Sequence, residues 1–135
     1  MQRISSLFDY FKKYEQSVKD PEEFWAGIAD TFIWKKKWDK VLDWDFDSVD
    51  IKWFKNAKLN ITENILEKNL KDRADKTAII WEPNDPTEPS IHLTYKELYE
   101  ETCKFSNALR EKGIKKGDRV IIYMPMVPEA AIAML

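Results

Sequence analysis

Glycine is scarce in this sequence of 135 residues, which holds only Gly27, Gly113 and Gly117. A loop that cradles phosphates needs several glycines close together, so no phosphate loop is present. Histidine and cysteine occur once each, as His92 and Cys103. That pair cannot build a Cys/His zinc site, and one thiol permits no internal disulfide. Neither sign of charge prevails: 22 Lys and Arg face 24 Asp and Glu, and residues 1–60 carry as many of one as of the other. Without a basic arm or an acidic tail, neither nucleic acid nor a membrane is an expected partner. No apolar run nears the roughly 20 residues of a spanning helix, and Met1-Gln2-Arg3-Ile4 leads into charged residues rather than a signal segment. The cytoplasm is the expected location. With 44% hydrophobic residues the chain is nonetheless too apolar for disorder.

What is present reads as helices first. Ile4, Leu7, Phe8, Phe11, Tyr14 and Val18 recur at steps of three and four, which predicts an amphipathic helix whose apolar stripe must dock on something. Asp20-Pro21-Glu22-Glu23 supplies an N-cap, a proline at the first helical position and a glutamate in the first turn, so a second helix should run to about Phe32. Residues 33–54 hold Trp34, Trp38, Trp44 and Trp53 without clean alternation or helical spacing, and predict an extended, wrapping segment. Asn60 with Glu63 opens a helix of about 11 residues carrying Ile61, Ile65, Leu66 and Leu70 on one face.

Thr77–Trp81 and Ile91–Leu93 read as short strands on either side of a loop containing Pro83, Pro86 and Pro89. Thr94 and Glu97 form a capping box for a helix ending at Gly113, Val120-Ile121-Ile122-Tyr123 reads as a fully apolar strand, and Pro128 starts a last helix. Strand, helix, strand, helix implies a βαβα unit and a parallel sheet. The final helix has no cap glycine and no closing basic residue, so the chain reads as cut rather than finished.

Several strings resemble the N-terminal part of AMP-forming acetyl-CoA synthetases, of the acyl-adenylate-forming superfamily. They are Asp20-Pro21-Glu22-Glu23-Phe24-Trp25, Trp53-Phe54, Leu59-Asn60-Ile61-Thr62-Glu63-Asn64, Ile79-Ile80-Trp81-Glu82-Pro83-Asn84-Asp85, Leu93-Thr94-Tyr95-Lys96-Glu97-Leu98, Gly117-Asp118-Arg119-Val120 and Tyr123-Met124-Pro125-Met126-Val127-Pro128-Glu129. The chain departs from the pattern at Asn56-Ala57, where the family reads Gly-Gly, and at Asn64–Leu70, where it often reads Asn-x-Leu-Asp-Arg-His-Leu.

The resemblance implies an α/β fold: a helical, Trp-rich N-terminal extension over residues 1–64, then from residue 65 the first βαβα elements of a truncated, mainly parallel-sheet adenylation domain. It implies a parent ligase that activates acetate with ATP, assisted by Mg2+, to acetyl-AMP and pyrophosphate, and then passes the acetyl group to CoA. The family's phosphate loop, ribose-binding aspartate and catalytic lysine all belong beyond Leu135, so none is carried over. The piece itself is expected to be an inactive scaffold without cofactors that self-associates through uncovered faces. A parent acting on propionate or acetoacetate, and a stand-alone protein-interaction module, are the alternatives; acetoacetate enzymes carry Pro-Asn where this chain has Pro125-Met126.

No catalytic or metal-binding residue is assigned. Ligands of doubly wound sheets gather beyond the carboxyl ends of strands, which makes Met124, Pro125 and Met126 the candidate substrate-binding residues, against a plain strand-to-helix connector. The tryptophans fit packing of the extension onto the large domain better than base stacking, because no basic face accompanies them. Cys103, on one helix with Phe105 and Leu109, reads as a small buried hydrophobe rather than a nucleophile. His92 reads as solvent-facing or hydrogen-bonded, and Lys35-Lys36-Lys37 as a solvated face rather than a contact for CoA phosphates.

Overall fold

The structure is a computed structural model that describes residues 4–135. It divides into two compact units, one ending at Ile61 and one beginning at Thr62.

In the first unit, α1 (Leu7–Lys19) starts where the Ser6 side chain accepts a hydrogen bond from the Asp9 amide at 3.1 Å. Helix α2 (Pro21–Ala29) starts on Asp20, whose carboxylate accepts from the Glu23 amide at 3.1 Å, as its Asp-Pro-Glu-Glu string requires. It ends three residues earlier than the periodicity predicts. The Trp34 indole donates to the Ala29 carbonyl at 2.7 Å, taking one of the acceptors that a further turn would have used. The apolar stripe of α1 is not covered: Leu7, Phe8, Phe11 and Val18 are all exposed. Between α1 and α2 lies a groove of about 790 Å³, lined by Tyr10, Tyr14, Phe24, Trp25 and Ile28 among others.

The Trp-rich stretch is extended, as expected, but it is a folded β segment. Strand β1 (Trp34–Lys36) pairs antiparallel with β4 (Lys58–Leu59), and β2 (Lys40–Asp45) forms a hairpin with β3 (Asp50–Lys55), setting Leu42 opposite Trp53 and Trp44 opposite Ile51. Consecutive residues Val41 and Leu42 are both buried, so both faces of β2 are covered at that point and the alternation is hidden. Trp34, Trp38 and Phe54 meet with ring centroids 5.2 to 5.5 Å apart, close enough to leave no space for a stacked base between them. These rings pack on one another. The turn between β2 and β3 puts Val49 at φ 56°, and Asn56 follows Phe54 and Lys55 at φ 62°. Asparagine tolerates the left-handed region, and the Asn56 amide also donates to Asp39 at 2.7 Å, which explains how it stands where the resembled family has glycine.

In the second unit, the helix of about 11 residues expected after Asn60 is two short ones, α3 (Ile61–Ile65, its first residue closing the first unit) and α4 (Glu67–Arg73). The break falls at Leu66 (φ −100°, ψ −73°), the side chain that is fully buried. Strands β5 (Thr77–Trp81) and β6 (Ile91–Thr94) form where expected, and α5 (Tyr95–Glu111) begins on the full Thr94/Glu97 capping box. Leu98 of α5 is buried, and α5 packs on α4, β5, β6 and α6 (Pro128–Met134). Gly113 takes φ +85° just beyond α5, the left-handed exit that its position requires. Thr102 is buried on α5 with its hydroxyl unpartnered, a local cost on the order of 1–3 kcal/mol.

The sheet departs from the parallel arrangement. Strands β5 and β6 pair antiparallel, Trp81 opposite Ile91, and every ladder among the described residues is two-stranded and antiparallel. The parallel neighbour expected across α5 is Val120–Tyr123, and that segment enters no ladder, while the short link 82–90 suits only an antiparallel return of β6 on β5. Val120–Tyr123 forms no strand. An apolar run lends β propensity, but a ladder needs a neighbour, and here Ile121 and Tyr123 stand almost wholly in solvent.

Two outcomes follow for the hairpin. Val49 is exposed, so Val49→Asn removes left-handed strain without losing packing and should raise unfolding stability by about 1 kcal/mol, read by denaturant titration of tryptophan emission. Asp43 accepts from Lys55 at 2.6 Å and Lys40 at 3.0 Å, and these bonds together with the two charges hold its carboxyl down from 3.8 to about 2. A depressed carboxyl stabilises the fold above its unfolded value and loses that contribution as pH falls through the folded one. An acid titration should therefore show a loss of stability between pH 4 and pH 2 that Asp43→Asn flattens.

Candidate functional site

The candidate loop lies wholly within the second unit, between the extended segment 120–123 and α6. Met124, Pro125 and Met126 are adjacent and exposed, the Met126 side chain to 90%. The loop folds tightly: the Val127 amide donates back to the Pro125 carbonyl at 2.9 Å, Val127 is extended (φ −124°, ψ 159°), and Pro128 occupies the first helical position, buried. The Ala130 amide then donates to the Val127 carbonyl at 3.0 Å and α6 proceeds.

Trp81 is the residue that spacing did not single out. At the end of β5 it donates its indole N–H to the Met126 carbonyl at 2.6 Å, 45 residues away. The Trp81-Glu82-Pro83-Asn84-Asp85 string and the Tyr123–Glu129 string are thus joined by a hydrogen bond. The one available signal was that a tryptophan ending a strand carries a donor in need of a partner.

The remaining singled-out residues have their contacts elsewhere. His92 sits on β6, exposed, with Nε2 3.2 Å from the Ser90 hydroxyl. Cys103 is half-buried, and its contact with the Tyr99 hydroxyl, helped by the nearby Glu67 charge, raises the phenol above its ordinary value. Lys37 pairs with Asp30 and lies over the Trp38 ring, and Lys36 reaches Asp39 at 3.9 Å, so both are engaged on the surface of the first unit. Among the described residues no group of three or more His, Cys, Asp or Glu could hold a metal ion, and no helix is long and apolar enough to cross a membrane. The arrangement can present an apolar, uncharged loop in a set direction. It offers no acid, base or nucleophile.

The family model for the acetyl-coenzyme A synthetase N-terminus matches residues 10–65, and that for the AMP-binding enzymes matches residues 66–135, more than half of the chain. The chain belongs to the AMP-binding enzyme family. Its likeness to curated acetyl-coenzyme A synthetases is high: 50% identity over 127 residues with that of Bdellovibrio bacteriovorus and 51% over 127 residues with that of Syntrophobacter fumaroxidans, in each case over 93% of this chain. The chain spans about 20% of the length of these relatives. An acetoacetyl-CoA synthetase from Streptomyces lividans shares the fold with TM-score 0.76 and 27% identity, over 89% of this chain and 18% of that one. The expected resemblance therefore agrees with the comparisons, and the fold is helices mixed with small antiparallel sheets, while a mainly parallel sheet is not among the ladders described.

Proposed function

We propose that this chain is the N-terminal part of a longer AMP-forming ligase that converts acetate and ATP to acetyl-AMP and pyrophosphate and then forms acetyl-CoA. The observation that carries the reading is the unbroken succession of the two family matches, which change over at residues 65 and 66, together with 50% identity to enzymes named for this product. Residues 1–64 would form the extension and 65–135 the first part of the large domain. ATP and CoA, with Mg2+ for the first step, would be held by the rest of the enzyme. The described residues do not fit these groups: the three glycines lie in separate turns or helices, and no carboxylate cluster is present. This piece supplies scaffold.

Within it, Met124, Pro125 and Met126 would face the acyl or CoA step, and Val120–Tyr123 would gain its strand partners in the full sheet. Acetate is favoured over acetoacetate because the chain reads Pro125-Met126 and because its identity is 50% with the acetyl enzymes against 27% with the solved acetoacetyl one. A cytoplasmic location fits a chain with one half-buried thiol. Alone, the chain would self-associate, since Phe8, Phe11, Ile121 and Met126 leave wide apolar area exposed.

Acetate-dependent exchange of pyrophosphate into ATP tests the reading. The longer enzyme should catalyse it with acetate preferred over propionate, and the 135-residue chain should show none. Exchange by the chain alone would overturn the scaffold assignment, and a longer enzyme that prefers another acid would overturn acetate.

A further inference from the structure

We draw no further inference here: the strongest candidate, the apolar groove of about 790 Å³ between α1 and α2 lined by Tyr10, Tyr14, Phe24, Trp25 and Ile28, is an unpartnered face of a chain that spans about 20% of its relatives' length, and nothing in the structure shows what covers it.

Discussion

Burial of apolar area offsets the entropy lost when a chain orders, and here that burial is confined to small patches: Ala29, Val41 and Leu42 in the first unit, Leu66 and Leu98 in the second. The accessible surface is 11116 Å². Two separate compact domains of about 8 kDa each would together expose on the order of 8,900 Å². Large apolar side chains stand exposed in the stripe of α1 and in residues 120–126. Local hydrogen bonds define the elements in spite of this: Ser6 and Asp20 at the starts of α1 and α2, the Trp34 indole at the end of α2, and the Thr94/Glu97 box at the start of α5. Caps set where helices begin, but each contributes only about 1 kcal/mol and cannot replace a core.

The same division explains what could be read from the residues alone. Helix starts at Asp20-Pro21 and Thr94–Glu97 depend on neighbours within four positions, and both appear as expected. The β2–β3 hairpin was not legible because its turn uses Val49 at φ 56°, a β-branched residue that announces no turn, in place of Gly or Asn. The split of the third helix was not legible either, because Leu66 keeps the helical period while its backbone leaves it to bury the side chain. Strands β5 and β6 were legible as strands. Their antiparallel pairing follows from the shortness of residues 82–90, whereas the strand expected beyond α5 finds no neighbour among the described residues.

The candidate loop was visible as three residues after an apolar run, and what holds it was not. Contacts across 45 residues leave no periodic trace, so the bond between Trp81 and Met126 comes only from the structure. It also gives physical content to the resemblance: the two most family-specific strings of the chain are two sides of one connection. Among the described residues, what the structure shows is an apolar loop tied to the end of β5 and apolar faces that stand exposed.

The most direct test of that account is amide hydrogen exchange at Val120–Tyr123, compared between the 135-residue chain and the longer enzyme. In the chain these amides have no ladder and should exchange within seconds, whereas in the longer enzyme, paired on both sides and covered, they should slow by several orders of magnitude. Equally fast exchange in both would contradict the account, since the apolar segment would then be a surface in its own right and not the unfinished strand of a larger sheet.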